Sequence, residues 1–266
     1  MFMKKIILMA LMSMLISTTA NATRARMIGM GENGDTGSYL LDDYRNLYRN
    51  PALSMMDNFA VVEFGSEEAG VFYDIEKGPL PYMGVVVGRN DNVDVFASND
   101  IIGVRASVNR VDGSMDGGAG VGVTMEHFNA YTNWDFTEDD NVWNIGGSTN
   151  VKGYTLFGQY SDNGASDWFV GAGKVWDINP KMILKATLLY DEAAGLVGGI
   201  ATDYAVTSHV AVFGSVVQSL KDTDMTELSL GSALMYGGFR VEGIMGTHAL
   251  LDFRDMFTEA SISMTF

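Results

Sequence analysis

From about Phe59 onward, apolar residues recur at every second position in short runs separated by clusters of Asp, Asn and Gly. Ile102, Val104, Ala106 and Val108 alternate with Gly103, Arg105, Ser107 and Asn109, and Ala119, Val121, Val123 and Met125 alternate with Gly120, Gly122, Thr124 and Glu126. Met182, Leu184, Ala186, Leu188 and Tyr190 share one parity, as do Leu228, Leu230, Leu234 and Tyr236. Successive side chains of a strand point to opposite faces, so this period of two predicts strands with one apolar face. Turn signals at Asp112-Gly113, Asn163-Gly164, Asn179-Pro180 and Gly237-Gly238 punctuate the runs. Twelve or thirteen runs are legible between residues 59 and 266, and the stretch 129–150 has room for another strand. Closed bacterial barrels have even strand numbers, which sets the expectation at about twelve to fourteen.

A soluble β-sandwich buries one parity in a core, whereas a membrane barrel turns it toward lipid. Most later runs are about ten residues long, the length that crosses a bilayer at a tilt. Tyr160, Tyr190, Tyr204 and Tyr236 stand at the ends of apolar faces, where an interfacial girdle belongs. In the final run Ala260, Ile262, Met264 and Phe266 line one face opposite Glu259, Ser261, Ser263 and Thr265. That ending resembles the terminal signal by which bacterial outer-membrane barrels are recognised for insertion, which makes the barrel assembly machinery an expected partner. One run is less clean, because Lys174 shares the parity of Trp168, Val170, Ala172 and Trp176. The fold class expected is all-β, a transmembrane antiparallel β-barrel with a short N-terminal luminal plug.

The first segment does not belong to this pattern. Lys4 and Lys5 precede an uncharged, mostly apolar stretch from Ile6 to Ile16, and Ala20-Asn21-Ala22 supplies a small-x-small cleavage pattern. This predicts a signal peptide at 1–22, too short in its apolar part to span a bilayer. Cleavage after Ala22 removes two lysines and no acid, taking the formal charge from −16 to −18. Such an acidic chain repels nucleic-acid phosphate. Zero cysteines exclude a disulfide framework, a Cys-based zinc site and a Cys nucleophile. The product is expected in the bacterial outer membrane, among its lipid and lipopolysaccharide.

Residues 23–57 do not alternate, and they carry Arg24, Arg26, Arg45 and Arg49. Ala25-Arg26 precedes Gly29-Met30-Gly31, and Leu47-Tyr48-Arg49-Asn50-Pro51-Ala52 comes just before the first strand. Here the sequence resembles the long-chain fatty-acid outer-membrane transporter (FadL) superfamily, whose members open with similar Gly-Met-Gly and Leu-Tyr-x-Asn-Pro-Ala stretches. The resemblance implies a barrel (58–266) plugged by the segment 23–57, with Arg26, Gly29, Gly31, Tyr48, Asn50, Pro51 and Ala52 as the plug motif. It also implies passive passage of a small hydrophobic or amphipathic solute. The chain is shorter than those transporters and lacks their large extracellular insertions. The alternative is therefore a non-transporting structural or surface-interaction barrel that presents acidic loops to lipopolysaccharide or a partner. Read from the residues alone, the arginines suit a lumen lined by acids, Pro51 stops any helix at Asn50, and a periplasmic tail is the other placement.

Little else points to chemistry. His127 lies beside Glu126 and near Ser148, but no motif joins them, and no enzyme activity or cofactor is expected. Asp91/Asp94, Asp112/Asp116, Glu138/Asp139/Asp140, Asp162/Asp167 and Asp222/Asp224 read as acidic loops; the run at 135–141 lacks the pattern of an EF-hand, so no metal is assigned. Gly117 to Gly122 alternates as a strand with no helix after it, against a nucleotide loop. The inward parity collects Arg105, Glu126, Lys185, Asp203, Glu227, Arg240, Glu242, His248 and Glu259, a lumen of mixed charge. Inward glycines at 103, 120, 122, 199 and 231 mark where space for a solute could lie.

Overall fold

The computed structural model describes residues 23–32, 37–53, 58–88, 92–111, 114–137, 141–162, 164, 166–221, 226–247 and 256–266. The expected signal peptide and His248 lie outside the described residues, as do several of the loop acids: Asp91, Asp112, residues 138–140, Asp222 and Asp224. Among these residues two short helices, α1 (Arg24–Gly29) and α2 (Asn46–Arg49), precede sixteen strands. In order these are β1 (Phe59–Glu63), β2 (Glu68–Asp74), β3 (Tyr82–Val87), β4 (Val93–Ser98), β5 (Ile102–Val111), β6 (Ser114–Met125), β7 (Phe128–Phe136) and β8 (Asn141–Val151). The second half comprises β9 (Tyr154–Asp162), β10 (Ser166–Asn179), β11 (Met182–Asp191), β12 (Gly195–Ala205), β13 (Val210–Ser219), β14 (Thr226–Tyr236), β15 (Phe239–Thr247) and β16 (Met256–Thr265). Each strand pairs antiparallel with its sequence neighbours, and β1 pairs with β16 through Phe59↔Thr265 to Glu63↔Ser261, closing the barrel.

The antiparallel barrel is as expected, but its strand count is sixteen rather than twelve to fourteen. The stretch 129–150 holds most of two strands, β7 and β8, and β4 was hidden in what read as an acidic loop. The cause is visible in the packing. In β4 the inward face is mixed, because Phe96 points onto an apolar cluster between Asp94 and Ser98 while Val93 and Val95 point outward, and the strand is only six residues long. In β8 the outward face is diluted by Gly147 and Thr149, so the period fades.

Outward positions carry exposed Val71, Val85, Val104, Val121, Leu188, Ile200 and Leu230, an apolar belt around the barrel. Aromatic side chains mark both ends of that belt. At the end that holds Phe59 and Thr265, here the near end, stand Tyr73, Phe128, Tyr154, Tyr204 and Tyr236. At the far end Trp143 packs on Tyr160 (5.4 Å between centroids), and Trp168, paired across strands with Tyr160, packs on Tyr190 (5.5 Å). Lys174 is accommodated on this outer face because its ammonium lies over the rings of Tyr154 and Trp176, at 4.6 and 5.6 Å.

Inside, the chain before β1 crosses the barrel and forms an apolar cluster on each of two walls. Ala25, Met27 and Met30, from α1 and the residue after it, pack with Phe213, Ala233 and Ile244 of β13–β15. Tyr44 and Leu47 pack with Phe59, Val61, Phe72, Val86 and Phe96 of β1–β4. Burying each such large side chain contributes about 1.5–3 kcal/mol. The second cluster backs the lowest part of the wall, since β1–β4 are five to seven residues long where β5–β16 run from nine to fourteen.

Candidate functional site

The inner segment is fixed by polar contacts as well as apolar ones. Asn46 accepts from the Ser38 amide (2.6 Å) and donates to the Leu41 carbonyl (2.8 Å), and the Ser38 hydroxyl accepts from the amides of Leu40 and Leu41. Past α2, Asn50 takes extended backbone, as a residue before proline must. Its side-chain oxygen accepts from the Ala52 amide (3.0 Å), closing the Asn-Pro-Ala turn, and Asn133 of β7 donates to the Arg49 carbonyl (2.9 Å).

Ion pairs join this segment to the inner wall. Arg26 makes a two-pronged contact with Asp203 (2.9 and 2.8 Å), and Arg24 faces Glu259 at 3.6 Å. Arg45 lies between Glu63 and Glu68, and Glu63 also accepts from the Tyr44 hydroxyl (2.6 Å) and the Arg24 amide (2.8 Å). Lys185 pairs with Glu32, and Thr23 bonds both Glu242 and Ser261. Arg240 pairs with Glu242 (2.5 Å), and Arg105 with Asp94 (2.8 Å). With its carboxylate inside the barrel, Asp94 is no loop residue.

Among the described residues, two cavities lie in the far half of the interior. One, of about 320 Å³, is polar and lined by Arg45, Tyr48, Arg49, Glu68, Arg105, Asn133, Asp135, Asn144 and Gln159. The other, of about 360 Å³, is mainly apolar, walled by Leu40, Phe157, Phe169, Leu189, Val197 and Val217, and also carries Glu32 and Asp191. Arg49 and Gln159 line both. The Arg49 guanidinium lies 3.7 Å from the centre of the Tyr39 ring, which stacks on Phe157.

Among the residues expected to line the lumen, Arg105, Lys185, Asp203, Arg240 and Glu242 point inward and are paired there. Glu126 does not line it: with His127 it forms the turn between β6 and β7, its side chain 89% exposed and 3.7 Å from the histidine. Glu227 stands exposed at the far end of β14. Ser148 accepts from Asn129 (3.3 Å) on the inner face, while His127 is exposed at the near rim. In the plug motif, Arg26 holds Asp203, Asn50 and Ala52 form the turn, and Tyr48 packs edge-on against Phe96 at 5.1 Å. The final-strand residues Ile262, Met264 and Phe266 lie along the seam, where Ile262 pairs with Val62, Met264 with Ala60, and the Phe266 amide donates to the Asn58 carbonyl (3.0 Å).

The inward glycines do not leave an open route. Any side chain at Gly103 would strike the Pro51 carbonyl, one at Gly122 the Asn50 side chain, and one at Gly231 the Phe213 ring. Gly120 is covered by Asn133 and Gly199 by Thr187 and Val217. Gly29 and Gly31 serve the inner segment in the same way, and Gly31 adds a positive φ of 68°. Gly31→Ala would place Cβ 2.7 Å from Val217 in a backbone conformation unfavourable to alanine. It is expected to cost about 1–3 kcal/mol in denaturant titrations. Gly237→Asn, at a positive φ with open space, is expected to be near neutral.

Sequence reasoning missed Glu63, Tyr39, Phe157 and Gln159. Glu63 could have been flagged, since it shares the parity of Phe59 and Val61 in an otherwise apolar strand face. No protein-family model matches the chain, and comparison with curated proteins returns no relative. Among solved structures it is similar to a five-substitution mutant and a double mutant of Rh. blastica porin. Each likeness has 13% identity and a TM-score of 0.50, covering 79% of this chain and 99% of that one. At that identity the likeness speaks to the barrel fold.

Proposed function

We propose that this chain is a bacterial outer-membrane channel barrel that passes small hydrophobic or amphipathic solutes in the manner of the FadL superfamily. The observation that carries the reading is the apolar cavity inside a barrel whose outer wall is itself apolar, with aromatic residues at both ends. So large an exposed apolar belt suits lipid and not water. Export by residues 1–22, cleavage after Ala22 and insertion guided by Ile262, Met264 and Phe266 belong to the same proposal. So do lipid and lipopolysaccharide as surroundings and a hydrophobic small molecule as ligand. No catalytic role is assigned.

A second reading, a structural or surface-interaction barrel that transports nothing, draws support from the filling of the inward glycines by the inner segment. Conductance in planar bilayers separates the two. Deletion of residues 24–49 removes α1, α2 and their pairs with Asp203, Glu63 and Glu259, and single-channel conductance is expected to rise severalfold. Heat-modifiable gel migration checks that the shortened barrel is assembled. An assembled deletion variant with unchanged conductance would overturn the channel reading. In a strain lacking the protein, uptake of long-chain fatty acids and other apolar solutes is expected to fall. Full uptake of the whole panel with altered envelope integrity would favour the structural reading.

A further inference from the structure

Arg49 differs from the other interior cations. Arg24, Arg26, Arg45, Arg105, Lys185 and Arg240 each pair with a carboxylate. Arg49 is 5% exposed, and among the described residues it has no carboxylate partner. One terminal nitrogen bonds the Ser38 carbonyl and reaches Asn46 at 3.4 Å. One face of the guanidinium covers Tyr39. The other donors of the fork have no protein acceptor among the described residues. A buried cation without a counter-charge is costly, and a guanidinium fork matches the paired oxygens of an oxyanion.

A second observation lies in the same cavity. The Tyr48 hydroxyl is buried and has no hydrogen-bond partner among the described residues, and neither does Nε of Arg45. Both residues line the polar cavity with Arg49. Of the three arginines that line it with Glu68 and Asp135, Arg45 is held by Glu63 and Glu68 and Arg105 by Asp94, so among the described residues Arg49 is the one whose charge no carboxylate contacts.

We propose that Arg49 anchors an oxyanion-binding site, with the Tyr48 hydroxyl as a second donor to the bound group. The anion sits in the polar cavity, either free or as the head of an amphiphile whose tail extends past Arg49 and Gln159 into the apolar cavity. The site does not depend on solute passage, so it is read by binding to the full barrel in neutral detergent, with conductance left to test the channel.

Isothermal titration with inorganic phosphate, octyl phosphate and octyl glucoside provides the test. Wild type is expected to bind octyl phosphate, and Arg49→Gln to bind it about tenfold or more weakly. Gln159→Glu keeps an acceptor for the Tyr131 hydroxyl while placing a carboxylate in both cavities, and is expected to weaken the anion to a similar degree. Should Arg49→Gln fail to assemble, Gln159→Glu carries the test. Arg110→Gln, on the exposed outer side of β5, is expected to leave binding unchanged. Equal affinity for phosphate and octyl phosphate identifies a free anion as the occupant, and preference for octyl phosphate of about tenfold identifies an amphiphile. The site is overturned if neither anion binds wild type, or if octyl glucoside binds as tightly as octyl phosphate. It is likewise overturned if assembled Arg49→Gln or Gln159→Glu binds the anions as wild type does.

Discussion

Replacing Arg45 by leucine is expected to destabilise the protein by about 3–5 kcal/mol, the usual cost of stripping one partner from a buried ion pair. Glu63, 1% exposed, would keep the Tyr44 hydroxyl and the Arg24 amide as donors but lose its neutralising charge. Glu68, further out, can rehydrate from the polar cavity, so most of the penalty falls on Glu63. The loss has a ceiling. Once it exceeds the free energy that docks the inner segment, the segment leaves, water reaches Glu63, and the barrel ladder stands without it. The readouts are therefore the denaturation midpoint and trypsin cleavage after Arg49, which buried backbone resists and a released segment does not. Replacing both Arg45 and Glu63 by leucine is expected to recover part of the stability, because an apolar pair leaves no buried charge. A loss below about 1 kcal/mol in Arg45→Leu, without new cleavage, would mean the pair is solvated and does not hold the segment.

Gly103→Val is expected to give the second large effect, a loss of about 3 kcal/mol or more with release of the inner segment. Gly103 pairs with Gly122 across β5 and β6, and together they form a bare patch against which Asn50, Pro51 and Ala52 lie. The first atoms a side chain would meet are the Pro51 carbonyl and the Ala52 amide, which are backbone and cannot swing away as a side chain can. Neither partner yields easily. The strands are locked by ladders on both sides, while the turn is held by Asn133 on the Arg49 carbonyl and by the Asn50 cap. Gly117→Val, on the outer face of the next strand, meets only the Ser107 carbonyl at 3.5 Å and is expected to change little. Equal stability and equal protease resistance of Gly103→Val and Gly117→Val would show that the turn does not rest on this patch.

Much of the barrel was legible before any coordinates. Facing follows from a period of two, which is local, so Ile102 to Val108 and Met182 to Tyr190 declared their outer and inner sides unaided. The strand count was less legible, because alternation signals a strand only when its two faces meet different surroundings. Behind β4 the inner segment supplies an apolar surface, so Phe96 faces inward between Asp94 and Ser98 and the contrast weakens in a strand of only six residues. The glycines misled for a related reason. Their parity was readable, but the neighbour that fills the space above Gly103 lies about fifty positions earlier in the chain.

The sequence by itself determined the strand faces, the apolar outer wall, and the presence of an arginine-bearing segment ahead of the barrel. All of these depend on residues a few positions apart. Tertiary structure alone decided which polar and charged groups meet. Thr23 reaches Ser261, Arg26 finds Asp203, and Arg49 stays without a carboxylate among the described residues beside two cavities. Composition counts cations and acids, but a pair forms only where ring closure brings two distant positions within a few ångströms. That proximity is set by the strand number and register of the whole barrel, which no local stretch encodes.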